Sequence, residues 1–166
     1  MSNDTATEVP TLEIDSVVVR TLRADDLDAV VAIDAAAVGR RRPHYFERLL
    51  GHALDESDLH LSLVAELDER VVGFVVATVF YGEFGVMEPS AALEAIGVDP
   101  ATRRQRVGDA LMRQLRLNLG ALRVTCIRTE VAWDNFDLLA FFRRQGFGPA
   151  PRLCLERGID PTQPEQ

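Results

Sequence analysis

Cysteine is scarce in this chain and follows no pattern. The only two, Cys126 and Cys154, have no metal-like spacing. This argues against a zinc–cysteine module and points to a reducing cytoplasm, with both thiols serving as small apolar residues in strands. His44, His52 and His60 form no ligand-spaced set with a nearby cysteine or acid, so no metal is expected. No apolar run approaches membrane-spanning length, and the polar N-terminus lacks a signal-peptide pattern. The expectation is therefore a soluble cytoplasmic protein with no membrane partner. Repeats and low-complexity segments are also missing. Aromatics are few, with only two tyrosines, Tyr45 and Tyr81, and one tryptophan, Trp133, expected to pack at the start of a late helix. Positive charge is in deficit, and a net charge of −8 disfavours a nucleic-acid partner.

What remains is enough for one domain. The chain has 166 residues, 47% of them hydrophobic, which suffices for a core without staples. Residues 1–13 and 160–166 are polar or proline-bearing and are expected to be flexible arms around a single domain over 14–159. Val17–Arg20 predicts a first strand. A helix follows from Asp25-Asp26, with Leu27, Val30, Val31 and Val38 on one face and acids in its first turn. Gly39–Pro43 breaks it, and a second helix runs over Tyr45–Leu54 with Tyr45, Leu49 and Leu50 inward. Leu61–Leu67 and Val71–Phe80 flank Asp68-Glu69-Arg70 as a hairpin. The second of these strands is apolar on both faces, as a covered central strand would be. Ala91–Val98 and Val124–Val131 are further strands. Between them a helix over Arg104–Asn118 carries Val107, Leu111, Leu115 and Leu119 at four-residue spacing, with Gly120 placed to end it. Asn135–Gln145 is a last helix, with Asp134 or Asn135 as N-cap and Gly146 as C-cap. Phe147 and Leu153–Leu155 supply one or two terminal strands.

The stretch from Gly97 to Met112 holds the strongest functional signal. A strand ends at Val98, Pro100 turns the chain, and Arg103, Arg104, Gln105 and Arg106 lead into a helix. Such a helix start presents backbone N–H groups and positive charge, which suits a phosphate or pyrophosphate. Arg103, Arg104, Arg106, Arg113 and Arg116 form a basic island in an acidic protein. A solvated arginine-rich helix face is the plainer alternative.

Arg103-x-x-Arg106-x-Gly108-x-Ala110 resembles the acyl-CoA pyrophosphate loop of the GNAT N-acetyltransferase superfamily. Val98, Pro100 and Leu111 also match that pattern. Two further stretches match in order: Arg20-x-x-x-x-Asp25-Asp26-Leu27, and Asn135-Phe-Asp-Leu-Leu-Ala-Phe-Phe142-Arg-Arg-Gln-Gly146-Phe147. The resemblance covers about residues 17–156. It implies an α/β (α+β) fold with a mixed, mainly antiparallel central sheet of about six to seven strands, flanked by about four helices. There are two departures. Arg106 replaces the first glycine of the loop, which is tolerable if its φ is negative and its side chain points out, or if it adds charge to the phosphates. Phe142 stands where the family often has a tyrosine that protonates the leaving thiolate.

The resemblance implies acetyl-CoA as acyl donor, a small-molecule or protein amine as acceptor, no metal, and a homodimer. The alternative is an acyl-CoA-binding regulatory module with little or no catalysis. Pantetheine is implied to run along the backbone of Ile96, Gly97 and Val98. Gly97 marks either a bulge or a plain strand end. Arg103 and the stretch Arg104, Gln105, Arg106, Val107, Gly108, Asp109 and Ala110 are implied to cradle the pyrophosphate. Asn135 is either a pantetheine ligand or an N-cap, and Phe142 is assigned to the cofactor site. Glu94 is the candidate base, since alternation places it on one face with Ile96 and Val98, among apolar neighbours that suit a base near neutral pH. A glutamate in water at an edge is the alternative, and Glu83, Glu88 and Glu130 are weaker candidates. Tyr81 is the candidate proton donor to the thiolate. Arg40, Arg41 and Arg42 either meet an acidic substrate or solvate a helix end.

Overall fold

The computed structural model describes residues 17–54, 60–81 and 88–159. The two expected arms and Glu83 lie outside the described residues. The chain divides into two compact units, residues 1–130 and 131–166.

The first unit holds a five-stranded sheet in the order β1 (Val18–Thr21), β2 (His60–Leu67), β3 (Arg70–Phe80), β4 (Ser90–Val98) and β5 (Cys126–Arg128). All neighbours are antiparallel except β4 and β5, which run parallel. A parallel pair needs a crossover, and α3 (Val107–Ala121) supplies it. β2 and β3 form the expected hairpin. Its turn residues Asp68 and Glu69 sit at φ of 48° and 60°, the left-handed pair that matches the twist of a tight hairpin.

Both faces of β3 are covered, so Val72–Val79 are all buried. On one face Val64, Phe74 and Val76 pack with Val30, Val31, Ile33, Phe46 and Leu50 from α1 (Leu27–Val38) and α2 (Pro43–Leu54). Phe46 meets Phe74 edge-on at 5.5 Å between ring centres. The other face takes α3, whose Val107, Leu111, Leu115 and Leu119 are buried as the four-residue spacing predicts. The result is the mixed α/β, mostly antiparallel sheet with helices on it that the sequence suggests.

Several boundaries differ, each for a local reason. α3 starts at Val107 rather than Arg104, because Arg104 and Arg106 adopt left-handed backbone that no helix continues. It also runs through Gly120 to Ala121. On α1, Ile33 and Asp34 take the inner face, while Val38 is exposed. β5 has three residues instead of eight. Cys126 and Cys154 are exposed. The second unit contains α4 (Phe136–Arg144), with Asn135 as its N-cap and Gly146 left-handed beyond its end. No strand forms over 147–159, where Leu153 and Leu155 are each 88% exposed, and Trp133 is 83% exposed rather than packed.

Arg20 ties β1 to the chain entering α1 and to β2. Its guanidinium donates to both Asp26 oxygens at 2.7 and 2.8 Å and to Glu66. Asp26 also accepts the Arg23 amide. These donors, Arg20 first, hold the Asp26 carboxyl below the usual carboxylate range. A depressed carboxyl stabilises the fold above its unfolded value and loses that contribution as pH falls through its folded one. Asp26→Asn is therefore expected to cost about 2 kcal/mol at neutral pH, since the bonds lost are charge-assisted and largely buried. Urea unfolding at falling pH should show the difference from the parent protein shrinking in the acid range.

Candidate functional site

Glu94 sits at an irregularity of β4. Val76 faces Ala95 and Ala77 faces Leu93, so Glu94 is an extra residue with no partner on β3. A bulge of this kind resets the alternation of side chains. Ala95 packs against the α1–α2 cluster, and Gly97 faces Phe74 and Ile33 on that side. Ile96 and Val98 therefore point to the α3 face. Glu94 does not join them, contrary to the plain alternation. Its carboxylate accepts a hydrogen bond from Thr78 Oγ1, on the face that carries Phe74 and Val76. Glu94 is also exposed rather than enclosed by apolar neighbours.

Gly97 is not the bulge. A Cβ there would fall 2.5 Å from Cε1 of Phe74 and 3.2 Å from Cγ2 of Ile33. The glycine lets the Phe74 ring lie against β4 and keeps β3 and β4 tightly paired.

The opposite edge of β4 opens. β5 pairs with Ser90, Ala91 and Ala92 only. Thr129 then donates its hydroxyl to the Leu93 carbonyl at 3.0 Å, a side chain ending what the strand ladder began. On the β3 side the Asp99 amide bonds the Val72 carbonyl at 2.8 Å. Antiparallel bonding alternates, so Gly97 also faces β3, while Ile96 and Val98 turn their N–H and C=O away from it. Among the described residues of the first unit, no strand pairs with those groups.

β4 leads directly into the arginine loop. Asp99 accepts the Ala101 amide and fixes a short 3₁₀ turn over Pro100–Thr102. Arg103, Arg104, Gln105 and Arg106 follow, all exposed. Arg106 has φ of +58°, not the negative value expected of a residue with a Cβ. The loop thus keeps the left-handed backbone that favours glycine, at a cost of about 1–2 kcal/mol. The side chain does turn outward, 71% exposed, with Nε 3.5 Å from Asp109. The first helical bond of α3 runs from the Ala110 amide to the Arg106 carbonyl. The amides of Val107 and Gly108 precede that ladder and have no partner within the helix. A Cβ on Gly73 would meet Val107 at 2.8 Å, so this glycine seats the first turn of α3 against β3, opposite Val98. A groove of about 380 Å³, lined by Leu67, Asp68, Arg70, Ala101, Thr102 and Gln105, lies beside the loop and away from Glu94.

The remaining candidates are more scattered. Tyr81 follows the Phe80–Ser90 pair, so about five residues of β4, roughly 16 Å, separate its level from Glu94. Glu88 and Glu130 are exposed. Arg42 donates to both Asp34 oxygens at 2.9 and 2.6 Å and lies 4.8 Å from the Tyr45 ring centre, so it joins α1 to α2. Arg40 and Arg41 are exposed. In the second unit Asn135 accepts the Leu138 amide at 3.2 Å, which makes it an N-cap. Phe142 packs with Phe141 and Phe147. Sequence reasoning missed Thr78 and Gly73. The first is a hydroxyl in an otherwise apolar strand, and that was the only visible signal.

Residues 27–147 match the Acetyltransferase (GNAT) family. Among solved structures, a transcriptional regulator from Bacillus halodurans C-125 superposes with TM-score 0.72 at 20% identity, covering 86% of this chain and 99% of that one. The aminoglycoside antibiotic 6'-N-acetyltransferase AAC(6')-Ih from Acinetobacter baumannii gives 0.71 at 19%, covering 87% and 99%. Aminoglycoside N-acetyltransferase AAC(6')-Iy, solved in complex with CoA, gives 0.71 at 17%, covering 86% and 94%. At these identities the likeness is one of fold. No curated protein matches the sequence significantly.

Two glycines separate packing from propensity. Gly97→Ala is expected to destabilise by about 1–3 kcal/mol, because the Phe74 ring must move. Gly120→Ala, in open space on α3, is expected to stabilise by about 0.5 kcal/mol. Chemical denaturation of the two variants measures both.

Proposed function

The chain belongs to the GNAT acetyltransferase family, and from that premise we propose that it moves an acetyl group from acetyl-CoA to a primary amine by direct attack of the amine on the thioester. One observation carries the reading. The edge of β4 that β5 leaves open runs straight into a helix start whose first amides precede the ladder and whose loop bears three exposed arginines.

The order of these features sets the direction of the donor. The pyrophosphate rests on the Val107 and Gly108 amides at the α3 N-terminus, with Arg103, Arg104 and Arg106 adding charge. Pantetheine runs back along β4 and pairs with the backbone of Val98 and Ile96. The thioester then arrives where β4 and β5 meet, near Leu93 and the bulge at Glu94. An acceptor amine must be neutral to attack, and Glu94 takes its proton, directly or through one water. Holding both reactants in line supplies much of the acceleration. Phe142 has no proton for the departing thiolate, which leaves water or Tyr81 to protonate it.

The acceptor follows from chemistry less specific than the donor's. Several of the fold neighbours are aminoglycoside acetyltransferases, so amino sugars lead the panel of amines, followed by amino acids, polyamines and peptides. The sequence contains no lysine, so an acetylated lysine found with a protein acceptor cannot come from the enzyme. The second reading, an acyl-CoA-binding regulatory module, draws on Phe142 and on Arg106 in place of the loop's first glycine.

Calorimetric titration with acetyl-CoA and with free CoA is expected to give micromolar binding that Arg103→Ala weakens. Release of CoA thiol across the amine panel then tests turnover. Glu94→Gln should lower kcat by roughly a hundredfold with acetyl-CoA affinity unchanged. Binding without turnover of any amine would favour the regulatory module, and absence of binding would remove both readings.

A further inference from the structure

Alternation from Ala92 keeps Glu94 on the face of Thr78, and the bulge then turns Ile96 and Val98 to the other face. Thr78 faces Ala92 in the β3–β4 register, and its hydroxyl donates to Oε1 of Glu94 from the neighbouring strand. The two side chains differ in kind. Thr78 is 6% exposed near the C-terminal end of the covered strand. It is β-branched, so its χ1 is stiff and its hydroxyl is fixed in direction. Glu94 is exposed, and a free glutamate spreads over many rotamers. A rigid buried donor therefore holds one oxygen of a mobile carboxylate, and the other oxygen is left to face an incoming amine.

We propose that Thr78 is a positioning residue for acyl transfer, holding Glu94 in the one orientation that serves as base. The inference rests on the reading of Glu94 as the group that takes the proton. In the step concerned, an N–H bond of the acceptor ammonium breaks, its electron pair stays on nitrogen for the attack, and the proton passes to the Glu94 oxygen that Thr78 does not hold. Thr78 itself gains and loses nothing. Its contribution is to keep the carboxylate from swinging into solvent, and it does so from the sheet interior without touching the donor's edge of β4. A base out of place by one rotamer is out of hydrogen-bond reach of the proton it must take.

Thr78→Val keeps the shape of the side chain and removes the donor, whereas Thr78→Ser keeps the donor. Steady-state kinetics would be run with acetyl-CoA and whichever amine of the panel turns over fastest. Thr78→Val is expected to lower kcat about tenfold, the worth of one hydrogen bond to a charged group, with KM for acetyl-CoA unchanged. Thr78→Ser is expected to stay within about threefold of the parent protein. Adding Thr78→Val to Glu94→Gln should lower kcat no further, because the carboxylate it serves is gone. An unchanged kcat in Thr78→Val, an equal loss in both backgrounds, or a serine variant as slow as the valine one overturns the proposal. Glu94→Gln at full rate, or no turnover of any amine, overturns instead the reading of Glu94 on which it stands.

Discussion

A backbone edge cannot be left half made. Three residue pairs join β5 to β4, the Thr129 hydroxyl takes the Leu93 carbonyl, and the parallel ladder stops there. From that point the N–H and C=O groups of Ile96 and Val98 point away from β3, with no strand to receive them among the described residues of the first unit. Polar backbone groups on a sheet demand partners, from another strand, from water or from a ligand. Everything proposed about the donor follows from that demand, because this stretch of edge is followed at once by a turn, three arginines and the start of a helix.

The rest of the unit keeps the edge straight and in place. Phe74 lies across Gly97 and draws β4 against β3 on the far side, and Gly73 lets Val107 sit directly on the sheet. The α1–α2 cluster fills one face and the buried stripe of α3 the other. The covered strand β3 is thus held on four sides: by β2, by β4, and by helices above and below. The side chains left exposed on this scaffold include Glu94 and the loop arginines, the groups to which the proposal gives chemical roles. The left-handed Arg106 shows the same division. Its backbone adopts the conformation the loop requires despite the Cβ, and its side chain is sent outward.

Local patterns were legible in the sequence and long-range registers were not. The four-residue spacing from Val107 to Leu119 announced α3 and its buried face, and Asp68-Glu69 announced the hairpin, because both depend on neighbours in the chain. The arginines after Pro100 were visible as charge wherever the helix began. The bulge at Glu94 arises only when β4 is laid against β3, so alternation along β4 alone grouped Glu94 with Ile96 and Val98. Gly97 looked like a bulge or a strand end, yet its reason lies in the ring of Phe74, 23 positions earlier in the chain. The apolar run Leu153–Leu155 had the composition of a strand, but composition supplies no partner, and the segment is exposed. Trp133, expected to pack at the start of the late helix, is exposed. Asn135 left two meanings open in the sequence, and the bond from the Leu138 amide accounts for the cap without deciding the other.

The most direct measurement is an amide-resolved NMR titration of the isotopically labelled chain with acetyl-CoA. The account predicts saturable shifts at Ile96, Val98, Val107 and Gly108, with Gly97, whose backbone faces β3, moving less. Shifts confined to other parts of the chain, or no saturable shift at all, would contradict the claim that the open edge of β4 and the α3 N-terminus together hold the donor.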